Sequence, residues 1–120
     1  MHNIRTSINS VISEFDHTLK MNGYTVKQND DSKNISLSFC HEKNKEKNFS
    51  ISFLINLPNK YIQVIQNYPE NGRISIPVPD EVALMSQEIK IPIENDERAT
   101  IRKIENYLRE FIEKNLRKSN

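Results

Sequence analysis

Residues 49–57 carry an apolar side chain at every second position, and this alternation constrains the fold more than any other feature of the sequence. Successive side chains of a strand point to opposite faces, so five large apolar residues would share one face. These residues are Phe49, Ile51, Phe53, Ile55 and Leu57. A sheet with one apolar face must bury that face against a second layer of structure.

Amphipathic helices near the two ends of the chain can supply that layer. In both regions apolar residues recur every three or four positions, which places them on one stripe of a helix. The stripes are Ile4, Ile8, Val11, Ile12, Phe15 and Leu19, and then Ile101, Ile104, Leu108, Phe111, Ile112 and Leu116. Asn22-Gly23 predicts the end of the first helix, because glycine closes a helix in the left-handed conformation at least cost. Asn95 or Asp96 is expected to cap the second helix.

Further segments between the helices also alternate with period two. The predicted strands are Tyr24–Val26 with an end at Asn29-Asp30-Asp31, then Ile35–Cys40, Tyr61–Tyr68, Arg73–Val78 and Ile89–Ile93. Pro92 cannot donate to a strand ladder, so the last of them is expected at a sheet edge. Asp80–Gln87 is interpreted as a brief helix. The sequence thus predicts a single α+β domain over residues 1–120, an antiparallel meander of about five to six strands with N- and C-terminal helices packed on one face.

Composition restricts the classes of function. Seventeen basic and sixteen acidic side chains give a net charge of +1, whereas proteins dedicated to nucleic acids usually carry a strong basic excess. No apolar run has the length of a signal peptide or of a membrane span, so we expect a cytoplasmic protein that does not bind membranes. With one cysteine, the chain can form neither an internal disulfide nor a four-thiolate metal site.

No arrangement of reactive residues indicates catalysis. Cys40 and His41 are neighbours in a predicted strand and would point to opposite faces, so they cannot act as a nucleophile and its base. Asp16-His17 diverge on a helix, and turn formation or capping explains Asp30-Asp31 and Asp96-Glu97. The chain has no zinc-ligand spacing and no glycine-rich phosphate loop. The sequence therefore predicts no enzyme, catalytic residue, cofactor or metal.

The loop of residues 41–48 is the most charged segment of the chain. Lys43, Lys45 and Lys47 could contact a partner, but the two glutamates among them, Glu42 and Glu46, reduce the positive field that nucleic acid would require. We interpret the loop as a hairpin tip and keep the three lysines as candidate residues for binding a protein partner.

The face of the sheet turned away from the helices is unusually poor in charge. Two central strands would present small polar residues there, and the next strand would add larger ones. The set comprises Ser36, Ser38, Cys40, Ser50, Ser52 and Asn56, with Leu54, Tyr61, Gln63 and Ile65 beside them. This face could be a solvated surface, or it could be covered by Asp80–Gln87 of the same chain. It could also dock a protein, because interface cores are depleted of charge and enriched in aromatic residues.

A helix–meander–helix chain of this kind resembles the immunity proteins of bacterial toxin–immunity systems. The resemblance covers the architecture of the whole chain through Ile4–Leu19, Phe49–Leu57 and Ile101–Leu116, and it involves no motif. It implies a non-catalytic protein that binds and neutralises a cognate toxin domain. A secretion-type chaperone and a nucleic-acid-associated regulator are the alternatives, and the oligomeric state stays open at this stage.

Overall fold

Residues 4–68 and 85–119 are described by the structure, a computed structural model. Within these residues, two long helices precede and follow five strands along the sequence, and a 3₁₀ turn joins the second and third strands. The elements are α1 (Ile4–Met21), β1 (Tyr24–Asp30), β2 (Asn34–His41), the 3₁₀ turn (Lys45–Lys47), β3 (Phe49–Asn56), β4 (Tyr61–Tyr68), β5 (Met85–Pro92) and α2 (Glu97–Ser119). The helices and the first four strands confirm the predictions made from periodicity.

The five strands form one antiparallel sheet in the order β1-β2-β3-β4-β5. The register matches apolar residues with apolar residues across the sheet. Phe39 lies opposite Phe49, Phe53 lies opposite Val64, and Ile62 lies opposite Ile91. This arrangement confirms the predicted α+β meander. Within the described residues β5 is at a sheet edge, as Pro92 indicated.

Both helices cover the same face of the sheet. Phe39, Phe53 and Leu108 are fully buried and belong to one continuous hydrophobic core. The ring of Phe49 stacks on Phe39 with 4.6 Å between centroids and meets Phe111 of α2 edge-on at 5.5 Å. The apolar stripes of the helices therefore bury the apolar face that the strand alternation created.

The ends of the helices follow the capping residues of the sequence. Gly23 has a φ of +84°, the left-handed conformation that ends α1. Of the two expected caps for α2, Asp96 takes the role: its Oδ1 accepts a hydrogen bond from the Arg98 N–H at 3.1 Å. Thr100, in the first turn of α2, connects the helix to the residues before it, because its hydroxyl accepts a hydrogen bond from the Glu94 N–H at 2.9 Å.

Two predictions need correction. Residues 85–87 belong to strand β5, so the helix expected over Asp80–Gln87 is wrong there. The rest of that segment and the strand expected at Arg73–Val78 lie outside the described residues. Leu57 is 57% exposed instead of extending the apolar face. It is the first of four turn residues, since β3 ends at Asn56, which pairs with Tyr61 at the start of β4.

Candidate protein-binding face

Strands β2, β3 and β4 present twelve side chains on the side of the sheet away from the helices, and we call this set the open face. All twelve are half-buried and none carries a charge. They are Asn34, Ser36, Ser38, Cys40, Ser50, Ser52, Leu54, Asn56, Tyr61, Gln63, Ile65 and Asn67. Successive side chains of a strand point to opposite faces, so these twelve residues share one face of the sheet. The residues between them point to the other face, which the helices cover.

The serines of the open face form hydrogen bonds with their neighbours. Ser36 and Ser52 lie directly opposite each other on β2 and β3, with 3.0 Å between their hydroxyl oxygens. The Ser36 hydroxyl is also within 3.4 Å of Asn34 Oδ1 and can donate to it. Short side chains bound to one another keep this part of the surface flat.

Leu54, Tyr61 and Ile65 form an apolar group beside the serines. Leu54 lies opposite Gln63, and Tyr61 and Ile65 occupy the positions two residues before and after Gln63 on the same strand. Diagonal neighbours across an antiparallel pair are within reach of large side chains. The structure thus brings the predicted residues Leu54, Tyr61, Gln63 and Ile65 together.

Strand β5 adds a charged margin that the sequence analysis missed. The Lys90 ammonium lies 4.8 Å from the centre of the Tyr61 ring, and Gln63 Nε2 donates to Glu88 Oε1. The open face therefore lacks charged side chains, as expected, whereas β5 places Glu88 and Lys90 beside it. The alternation of Ile89 and Ile91 was the available signal, because it assigns Glu88 and Lys90 to this side.

Two shallow grooves extend the open face towards its ends. One, of about 1020 Å³, lies at the end where two turns meet and is lined by Asn34, Leu54, Leu57 and Pro58 among others. The other, of about 360 Å³, lies at the opposite end. Its lining includes Ser38, Cys40, Lys45, Asn48 and Asn67.

The loop between β2 and β3 is organised by His41 and Asn48. His41 Nδ1 accepts hydrogen bonds from the N–H groups of Lys43 and Asn44, at 3.2 and 3.0 Å. The His41 N–H donates to Asn48 Oδ1 at 2.7 Å. These bonds connect the backbone of the loop to His41 and Asn48, the residues at its two ends.

The loop brings only part of the predicted lysine set to the open face. Lys45 lines the smaller groove, whereas Lys43 is exposed and lines neither groove. The carbonyl of Lys47 accepts from the hydroxyl of Tyr24, a core residue, at 3.2 Å. Lys45 is therefore the loop lysine that adjoins the open face.

The reactive residues considered in the sequence have structural partners or are separated. His41 meets the buried Tyr24 edge-on at 5.1 Å, while Cys40 lies on the open face, so the two diverge as predicted. Asp31 Oδ1 accepts from the N–H groups of Lys33 and Asn34 in the turn between β1 and β2. Over residues 4–68 and 85–119 no three His, Cys, Asp or Glu side chains are grouped to hold a metal ion.

Glu14 and Arg109 form an ion pair between the two helices. Arg109 of α2 donates through Nε and Nη2 to the two carboxylate oxygens of Glu14 of α1, at 3.0 and 2.8 Å. Hydrogen bonding to Arg109 lowers the pKa of Glu14, and the same contact raises the pKa of Arg109. The pair thus links α1 to α2 within the helix layer, away from the open face.

In the part of the chain that the structure describes, neither helix is both long and apolar enough to cross a membrane. A search of family models, curated proteins and solved structures found no match to this chain.

Proposed function

We propose that the chain is a non-catalytic protein that binds a folded protein partner through the open face. One observation carries this proposal: twelve uncharged side chains form a flat, half-exposed surface with Leu54, Tyr61 and Ile65 grouped on it. The cores of protein interfaces are depleted of charge and enriched in aromatic residues, and their rims are polar. Lys27 on β1 and Glu88 and Lys90 on β5 supply such a rim.

The size of this side of the sheet suits a folded domain. Five strands spaced about 4.8 Å apart and seven to eight residues long at about 3.3 Å per residue cover roughly 600 Å². A standard protein interface buries about 800 Å² on each partner. The grooves at both ends, which bring in Leu57 and Lys45, extend the contact area towards that value.

A toxin domain is the class of partner that we propose. The helix–meander–helix architecture supports it, because the small immunity proteins that this chain resembles act by covering a toxin. Neutralisation of this kind requires a binding surface and no reacting group. Lys45, beside the open face, would pair with acidic residues of the partner.

The test compares capture by variants of the open face with capture by a control elsewhere. Tyr61→Ala and Ile65→Ala should each weaken partner binding about tenfold or more, because large side chains at interface centres contribute most of the affinity. Met21→Ala is the matched control, since Met21 is an apolar residue at the end of α1 and is 74% exposed. The captured protein is identified, purified and titrated with each variant by calorimetry.

Two further measurements make the test decisive. Thermal unfolding of Tyr61→Ala and Ile65→Ala should stay close to that of the unchanged chain, and a large loss of stability would place these residues in a core instead. Expression of the identified partner should arrest growth, and co-expression of the chain should restore it. A harmless partner would contradict the toxin proposal, and equal binding by all variants would contradict the open face.

A further inference from the structure

A lysine lies on each of the four sides of the open face. Lys27 of β1 and Lys90 of β5 flank it, because the residues opposite them in the register belong to the open face. Lys33 lines the larger groove at one end, and Lys45 lines the smaller groove at the other end. Glu46, which follows Lys45, lines neither groove. The four lysines therefore surround an area whose own twelve side chains are uncharged.

The positive charge on three of these sides is not neutralised within the chain. Among the residues that the structure describes, Lys27, Lys33 and Lys45 form no ion pair. In the helix layer, by contrast, Lys20 and Arg109 each contact a carboxylate, at 3.0 and 2.8 Å. The three lysine ammonium groups beside the open face are therefore available to a partner.

Two carboxylates share this side of the molecule with the four lysines. Asp31 lines the larger groove, and its Oδ1 accepts hydrogen bonds from the Lys33 and Asn34 N–H groups at 2.9 and 2.8 Å. Glu88 of β5 accepts a hydrogen bond from Gln63. Over the described residues, four positive and two negative side chains thus border the open face or line its grooves. This border is net positive, although the whole chain has a net charge of only +1.

We infer that the partner of the open face presents an acidic protein surface in which carboxylates surround an apolar centre, and this inference rests on the function proposed above. The apolar centre would contact Leu54, Tyr61 and Ile65, and the carboxylates would contact the four lysines. Lys90 brings positive charge to the apolar group itself, since its ammonium lies 4.8 Å from the centre of the Tyr61 ring. Opposite charges across an interface steer association and fix the orientation of the partners.

The spacing of the lysines favours a folded acidic protein over nucleic acid. Four strand spacings of about 4.8 Å separate β1 from β5, so the backbones of Lys27 and Lys90 lie roughly 19 Å apart or more. Proteins that bind single-stranded nucleic acid use a continuous positive groove that follows the phosphates. Here uncharged side chains separate the lysines from one another. A folded domain can present separate carboxylates at such distances.

The first test titrates the ¹⁵N-labelled full chain with a synthetic acidic peptide and follows the amide signals by NMR. The peptide carries glutamates on both sides of a leucine–tyrosine pair, and about ten residues in extended form reach across the sheet. It should shift the amide signals of Lys27, Lys33, Lys45 and Lys90, and raising the ionic strength should remove these shifts.

Two matched probes control this titration: the same peptide with lysines in place of the glutamates, and a thymidine oligonucleotide of the same net charge as the acidic peptide. Both should bind more weakly than the acidic peptide. Absence of shifts at the four lysines, equal shifts with the lysine peptide, or tighter binding of the oligonucleotide would overturn the inference.

Charge reversal then tests the inference on the purified partner from the capture experiment. Lys33→Glu and Lys45→Glu should each raise the dissociation constant about three- to tenfold, mainly through slower association. Arg102→Glu is the control, because Arg102 is exposed on α2, in the opposite layer. The shortest dimension of the molecule is 22 Å, more than twice the Debye length of about 8 Å at physiological ionic strength. The control should therefore change binding little.

The outcome separates this inference from the proposed function. If neither lysine variant alters binding while Tyr61→Ala still weakens it, the partner is not acidic and the open face remains the binding surface. If Tyr61→Ala and Ile65→Ala bind as tightly as the unchanged chain, the open face is not the binding surface and both proposals fail.

Discussion

His41 connects a strand, a loop and the core through different atoms of one residue. Its Nδ1 accepts two backbone hydrogen bonds from the loop, its N–H donates to Asn48, and its ring packs against Tyr24. An unprotonated Nδ1 is required to accept those bonds. The side chain that suggested catalysis in the sequence thus has a structural role: it positions the loop that carries Lys45.

Replacing His41 should reveal the size of this contribution. His41→Ala should lower the free energy of unfolding by about 1–3 kcal/mol, because two loop N–H groups lose their acceptor. His41→Asn keeps an oxygen near the position of Nδ1 and should recover part of the loss. Urea denaturation of both variants measures the difference. Equal losses would show that the ring contact with Tyr24, rather than the hydrogen bonds, provides the stability.

At the scale of elements, Glu14 and Arg109 join the two helices by a bidentate ion pair. Both side chains remain partly exposed, at 46% and 34%. The pKa of Glu14 is lowered from its ordinary value of 4.5, with hydrogen bonding to Arg109 as the main cause. Because the pKa is lowered only in the folded state, the ion pair stabilises the fold at pH values above the ordinary pKa of 4.5. The stabilisation is lost as the pH falls through the pKa of the folded state.

The effect of Glu14→Gln on the stability of the fold should therefore depend on pH. The variant should unfold more easily than the unchanged chain at neutral pH, and the difference should disappear in acid, where Glu14 becomes protonated. Thermal unfolding over a pH series measures it, with Glu110→Gln on the exposed side of α2 as the control. A difference that stays constant over the series would mean that Glu14 acts by packing and not by charge.

The elements that the sequence predicts well are those with a long, uninterrupted period. The five alternating residues from Phe49 and the two helical stripes each had a single interpretation, and the turns between strands indicated a meander. Strand β5 was harder, because its first residues, Met85-Ser86-Gln87, do not alternate and a helix was expected there. Only pairing with β4 extends the strand to Met85.

The sequence predicts which residues lie on the candidate face but not which of them contact each other. Alternation alone assigns Leu54, Tyr61 and Ile65 to one side of the sheet. The contact between Lys90 and Tyr61 depends on the register of β4 with β5, two strands separated by sixteen residues of chain. Local periodicity carries no information on such a register, since it is set by the packing of the whole sheet.

At the scale of the whole molecule, the described residues form a slab of two layers. Their dimensions are 45 × 33 × 22 Å, and the shortest matches one helix layer on one sheet at about 10 Å each. Such a slab has a single core, between the helices and the sheet. The two faces of one strand therefore differ sharply in what they contribute to stability.

Adjacent residues of β3 test this difference directly. Phe53 is fully buried under the helices, whereas Leu54 is half-buried on the open face. Phe53→Ala should cost about 3–5 kcal/mol, a large part of the roughly 5–15 kcal/mol that holds a domain together. Leu54→Ala should cost less than about 1 kcal/mol, because its side chain leaves no closed cavity. Urea denaturation measures both, and a loss for Leu54→Ala as large as that for Phe53→Ala would mean that the open face is buried and unavailable to a partner.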